Sequence, residues 1–213
     1  AQHAREEYTV DLQPKPGEFP VHRNEIIAKS GQTGIGVPHL HYELRDQNEV
    51  ALNPRLLGVT WPDKTAPIIT SLMVVPLSPT AMVENDYRGS GYMGVHDDAG
   101  RITMNGPVQL RGPVGFLVAC HDPSAGGSKL GVRRATLVVD NQENFTVKND
   151  HIAYAHLEDG ATAFQRGVAN WQFLKLWRQT GNDAEPYHLD DSTGVFELSG
   201  DTASAVIEIE DFA

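Results

Sequence analysis

The chain is short of cysteine, of long apolar runs and of positive charge, and each shortage removes a class of protein. One cysteine, Cys120, in 213 residues cannot build an internal disulfide framework or a multi-cysteine zinc site. No apolar run approaches the ~20 residues that span a bilayer, so no transmembrane segment is expected. Lysine and arginine number 17 against 28 aspartates and glutamates, a net charge of −11. Nucleic acid is therefore not expected as a partner, because phosphate binding calls for a basic footprint. No secretory leader is visible at residue 1, which reads as a mature chain or an excerpt. The glycine-rich run Ser30–Gly36 is followed by neither GK[ST] nor a helix start, which excludes a phosphate loop. Internal repeats and low-complexity tracts are absent.

What remains has the composition of an ordinary globular protein, long enough for one large domain or two small ones. The patterning is that of an all-β chain. Tyr8-Thr9-Val10-Asp11-Leu12 alternates like a strand, and Pro14, Pro16 and Gly17 break it. Val21 to Lys29 carries the apolar set Val21, Ile26, Ile27 and Ala28. Asn53-Pro54 ends this first unit, and Trp61 to Pro67, with two prolines, reads as a linker. Beyond it, Ile68 to Val75, Val114 to Cys120, Arg134 to Val139 and Ala205 to Ile209 are candidate strands. Asp122-Pro123, Gly126-Gly127 and Asp140-Asn141 read as the turns between them, and the spacing suggests a β-sandwich. Val168 to Trp177, with aromatics at mixed spacing, is the one segment that suggests a short helix on the sandwich edge. The layout is 1–60, a linker at 61–67, and 68–213.

The most informative residues are His39 and His41, in Gly34-Ile35-Gly36-Val37-Pro38-His39-Leu40-His41-Tyr42-Glu43-Leu44-Arg45-Asp46. On a strand, His39, His41, Glu43 and Arg45 would share one face, and Leu40, Tyr42 and Leu44 would share the other and enter a core. The two imidazoles would stand roughly 7 Å apart. That suits one histidine to a metal and the other to a proton or an oxyanion. A catalytic zinc needs three protein ligands and an open position, and the chain offers no convincing partners for His41. His3 lies near a terminus. His22 sits in a solvated turn, and His96 and His121 sit beside aspartates in stretches read as loops. His151, His156 and His188 lack ligand spacing among themselves. Cys120, inside Val114 to Cys120, reads as a buried structural thiol.

Ser30-Gly31-Gln32-Thr33-Gly34 followed by Pro38-His39-Leu40-His41-Tyr42-Glu43 resembles the C-terminal signature of the lysostaphin/LytM-like zinc endopeptidases, whose hallmark is G-x-T-G and then G-P-H-L-H-F-E. The likeness runs over residues 19–58 and includes Ile26-Ile27-Ala28 and Leu52-Asn53-Pro54. Val37 replaces the usual glycine and Tyr42 the usual phenylalanine. The resemblance implies that His41 is a zinc ligand and His39 the catalytic histidine, with Gly34, Gly36 and Tyr42 shaping a substrate groove. It implies Zn2+ as cofactor, peptidoglycan stem or cross-bridge peptides as partners, and an extracytoplasmic location in a bacterium.

The family's H-x-x-x-D and Y-x-H-L motifs lie upstream of the histidine strand. Nothing from Ala1 to Pro38 matches either; Tyr154-Ala155-His156-Leu157 imitates the second but lies downstream. The expectation is therefore the C-terminal part of a lysostaphin-like antiparallel β peptidase domain at 1–60, followed by an immunoglobulin-like β-sandwich at 68–213. The remaining ligands are expected upstream of residue 1, and the segment alone is expected to be inactive. Two non-enzyme readings stand beside this one. The first is a degenerate peptidase-like regulator or wall-binding module. The second is a glycan-binding sandwich using Trp171, Trp177 or Tyr187, against the simpler reading that these aromatics fill the core.

Overall fold

The computed structural model describes residues 12–31, 38, 42–60, 62–92, 95–96, 102–103, 106–124, 127–153, 163–166, 172–178 and 192–212. Its regular structure is almost entirely antiparallel β. In chain order the strands begin with β1 (Leu44–Arg45), β2 (Val50–Leu52), β3 (Ile68–Pro76), β4 (Met82–Val83), β5 (Ser90–Tyr92), β6 (Val95–His96), β7 (Ile102–Thr103) and β8 (Leu110–Arg111). They continue with β9 (Val114–Pro123), β10 (Lys129–Leu130), β11 (Arg134–Val139), β12 (Gln142–Lys148), β13 (His151–Ala153), β14 (Phe164–Arg166), β15 (Gln172–Lys175) and β16 (Ala205–Glu210). A 3-10 turn, Pro54–Leu57, is capped by the Asn53 side chain, which accepts from the Arg55 amide.

The apolar run Val114 to Cys120 dictates the centre of the fold. A strand that is apolar on both faces must be covered on both. β9 lies inside a six-stranded sheet of order β14-β15-β9-β3-β5, with β10 also paired to it. A three-stranded sheet, β12-β11-β16, faces the first. Val74, Val114, Phe116, Val118, Leu174 and Leu176 from the larger sheet meet Ala135, Leu137, Phe145 and Val147 from the smaller in one buried cluster. The opposite face of the larger sheet carries a second cluster of Val75, Leu117, Ala119, Phe173 and Trp177.

Local chemistry sets the registers. β11 and β12 are joined by Asp140 and Asn141 alone, at φ 48° and 63°. Both residues tolerate the left-handed region that a two-residue hairpin of this hand requires. Arg134 then bridges Glu143 at 2.8 Å and Glu210 at 3.2 Å, linking all three strands of that sheet. Arg134 directly opposes Glu210 in the ladder.

Val168 to Trp177 does not yield a helix in its described part. Gln172–Lys175 is strand β15, between β14 and β9. Phe173 and Trp177 enter one cluster, and Leu174 and Leu176 the other. Apolar residues on both sides are the signature of an interior strand, and that pattern overrides the mixed aromatic spacing. Trp177 fills the core; Trp171 and Tyr187 lie outside the described residues.

The chain divides into two compact units, Ala1–Tyr42 and Glu43–Ala213. In the first, residues 12–31 form turns and no strand. Phe19, Val21, Ile26 and Ile27 are all exposed there, Ile26 at 88%. In the second, β2 pairs with β1 on one side and β13 on the other. The β1–β2 turn is closed by Asp46, whose Oδ1 accepts from the amides of Asn48 and Val50 at 2.8 and 3.0 Å. Residues 43–60 thus lie in the same compact unit as the two facing sheets, and β13 supplies the pairing that holds this hairpin.

Two substitutions test this core by urea unfolding. Leu137→Ala, at a fully buried position, is expected to cost about 2–5 kcal/mol. Gly115→Ala would place a Cβ 2.6 Å from the Trp177 ring and is expected to cost about 1–3 kcal/mol by overpacking. Wild-type stability in both variants would contradict the arrangement.

Candidate functional site

Gly34, Gly36, His39 and His41 lie outside the described residues, as do His3, His156, His188 and Tyr154. The described end of the histidine segment starts at Tyr42. The ring is exposed, at 61%, and does not enter a core as alternation suggested. The regular pairing of β1 starts only at Leu44, because its partner strand ends at Leu52 (the partner of Leu44) and the chain then turns into Pro54–Leu57. Of the expected polar face, only Glu43 and Arg45 are among the described residues. Arg45 Nη2 lies 2.7 Å from Glu43 Oε2, and Nη1 lies 2.8 Å from Glu49 Oε2. Glu43, just before β1, is thus joined to Arg45 across the half-buried Leu44.

His22 occupies an exposed turn, its amide donating to Glu25 Oε2 at 2.8 Å, as the sequence suggests. His121 and Asp122 do not lie in a loop. Both belong to β9, which runs through Pro123, and Asp122 is only 3% exposed. The Asp-Pro pair looks like a turn but closes the strand, because β10 pairs across it, Lys129 with Pro123 and Leu130 with Asp122.

Alternation along β9 explains the burial of Asp122. Val114, Phe116, Val118 and Cys120 point to the cluster between the sheets, and Asp122 is next on that face. The carboxylate therefore occupies the end of an apolar row. A cleft of about 320 Å³ opens there, lined among others by Asp122, Asp63, Leu52, Leu130, Ile152 and Phe212. Asp122 Oδ1 is buried and makes no hydrogen bond. Arg55 Nη2 lies 3.9 Å from Asp63 Oδ2, and Arg133 Nε lies 3.1 Å from Asp150 Oδ1. Burial foremost, then the Asp63 and Asp211 carboxylates, push the Asp122 carboxyl above its ordinary range, while Arg55 and His121 oppose this. Sequence pattern did hold the signal: an acid in register with a core-facing row.

A second cleft, of about 350 Å³, is lined by Cys120, His121, Lys129, Asn149, Phe164 and Gln172 among others. Its half-buried thiol is poorly suited to nucleophilic attack. Burial pushes Cys120 up to about 12, which leaves almost no thiolate near neutral pH. This agrees with the structural role read from its apolar run.

No family model matches the chain, and no curated protein or solved structure is matched either. Among the described residues, no group of three histidine, cysteine, aspartate or glutamate side chains is placed to hold a metal ion. No helix among them is long and apolar enough to cross a membrane.

Cys120 is expected to react with a maleimide at pH 8 at least ~100-fold more slowly in the native chain than after denaturation; equal rates would place the thiol at the surface. Asp122 binds its proton more tightly folded than unfolded. Its contribution is fully favourable below the ordinary carboxylate range and is lost as pH rises through the raised native value. Asp122→Asn is therefore expected to gain stability relative to wild type between pH 4 and pH 7. Melting curves at both pH values check this, and a constant or reversed difference would contradict it.

Proposed function

We propose that this chain is part of a zinc-dependent metalloendopeptidase that hydrolyses peptide bonds in bacterial peptidoglycan. The observation that carries the reading is the run Pro38-His39-Leu40-His41-Tyr42-Glu43 behind Ser30-Gly31-Gln32-Thr33-Gly34. His41 is one zinc ligand, and His39 is its catalytic neighbour. The described residues hold no further ligand set; the remaining ligands are proposed to come from sequence upstream of residue 1. Bound zinc would supply Lewis acidity toward the scissile carbonyl. His39 would take the proton of the attacking water or donate to the developing oxyanion. Gly34 and Gly36 would let a peptide approach the backbone, and Tyr42 would flank it.

Two observations support the reading. Glu43 and Arg45 are joined by a salt bridge immediately after the histidines, in keeping with a strand that would carry His39 and His41 on the same side. Val21, Ile26 and Ile27, within the stretch that resembles the family, are exposed, as apolar residues are when their packing partners lie elsewhere. The sandwich built on β9 is proposed to be the immunoglobulin-like domain that follows the peptidase, and the location is proposed to be the bacterial cell envelope or beyond.

The test uses the full-length protein. Zinc analysis and a peptidoglycan digestion assay are expected to give bound zinc and released peptides. His41→Ala is expected to lose both, and His39→Ala to keep zinc while activity falls about 10²–10⁴-fold. A full-length protein that is metal-free and inactive would overturn the proposal and leave the regulator or wall-binding reading. The 213-residue segment alone is expected to show no activity.

A further inference from the structure

The cleft at the end of the sandwich, around Asp122, is independent of the zinc reading. Four features of it converge. The carboxylate is nearly fully buried, at 3% exposure. Its Oδ1 has no hydrogen-bond partner. It lines an open cleft. The nearby guanidinium of Arg55 is shared with Asp63 at 3.9 Å. A buried acceptor left unmatched is costly, and a buried charge more so, unless a cation arrives to pair with it. The cleft walls narrow the choice of cation. Leu52, Pro54, Leu130, Ile152 and Phe212 present apolar surface around the acidic end. A hydrated metal ion would have to keep its water against these side chains, and no metal-holding group of three is present among the described residues. A cation whose body is apolar matches both parts.

We infer that this cleft binds a primary ammonium carried on an alkyl stem, with Asp122 receiving the ammonium and the apolar walls covering the stem. An ammonium offers three donors and compact charge. The ammonium would pair with the Asp122 carboxylate, and Asp63, which lines the same cleft, would share the charge. The alkyl stem would cover Leu52, Leu130 and Phe212 in the way lysine stems lie along apolar surface. Burial foremost, with the Asp63 and Asp211 carboxylates, raises the proton affinity of Asp122 more than Arg55 and His121 lower it, so a further positive charge would be favourable there. A free alkylamine and a lysine side chain of a peptide present the same chemistry.

The test is titration of the whole chain with n-hexylammonium chloride, followed by backbone amide chemical shifts. Parallel arms use 1-hexanol, Nα-acetyl-lysine methylamide and calcium chloride. Saturable hexylammonium binding is expected, with shifts concentrated at residues 51–54, 121–123, 130 and 150–152. Binding to Asp122→Asn should be at least tenfold weaker, while that variant's amide spectrum stays folded. Asp63→Asn should bind only a fewfold more weakly. Hexanol binding as tight as hexylammonium would overturn the proposal, because the carboxylate would then play no part. So would calcium binding at these residues without amine binding, or no amine binding at all. Binding of both amines identifies a lysine side chain as a competent ligand, and binding of hexylammonium alone identifies the free amine. Because the readout is amine binding and not hydrolysis, failure here leaves the zinc peptidase proposal standing, and the reverse also holds.

Discussion

Both faces of β9 are apolar, and that constraint organises the rest of the described sandwich. A strand buried on two sides needs neighbours in the sheet and layers above and below it. β3 and β15 pair with it laterally, and β10 adds at its end. Phe116 and Val118 point toward the smaller sheet, and Leu117 and Ala119 toward Trp177. Gly115 lies flat beneath the Trp177 ring because a side chain there would collide with it. The two clusters are coupled through a single backbone, so a shift of β9 that suits one must be accommodated by the other. That is the close-packing argument for a stiff centre.

The central strands were legible because their chemistry is local. Ile68 to Val75 and Arg134 to Val139 are dense in β-branched residues, and the structure places strands over Ile68–Pro76 and Arg134–Val139. Asp140-Asn141 announced a turn and forms a two-residue hairpin loop. β12 is harder to see, since Gln142-Glu143-Asn144 opens it with polar residues. Its burial comes from Phe145, Thr146 and Val147, where Thr146 donates to Thr136 at 3.2 Å across the ladder. β15 departs from the helix its sequence suggests for a related reason: an interior strand and a buried helix both give continuous apolar runs, and only the neighbours decide. Five of the six two-residue strands, β4, β6, β7, β8 and β10, carry no periodicity at all, so tertiary pairing alone defines them.

The two candidate sites were legible to different degrees. The histidine pair is a sequence motif, visible as spacing and flanking residues before any fold is considered. Of the residues that follow it, Glu43 and Arg45 are joined by a salt bridge. The Asp122 cleft is the opposite case. Its residues come from the end of β2 and the start of the 3-10 turn, Asp63, the end of β9, β10, β13 and Phe212, separated widely in sequence. Only the strand register of Asp122 could have hinted at it, and Pro123 beside it disguised that register as a turn.

Asp122 also bears on what the end of the sandwich is for. A valine or leucine at this position would extend the row Val114, Phe116, Val118 and Cys120 and close the cleft with apolar surface. Replacing buried charge by well-packed hydrophobic side chains is commonly neutral or stabilising. A carboxylate there, among Asp63 and Asp211 and raised in proton affinity, is thus a poor choice for stability alone. Where local choices in a sequence run against its own packing, a functional constraint is the usual counterweight. The same reasoning separates Asp122 from Cys120, two residues earlier on the same face. The thiol is compatible with the core it joins, whereas the carboxylate is not, and that asymmetry directs attention to a cationic partner at the acid.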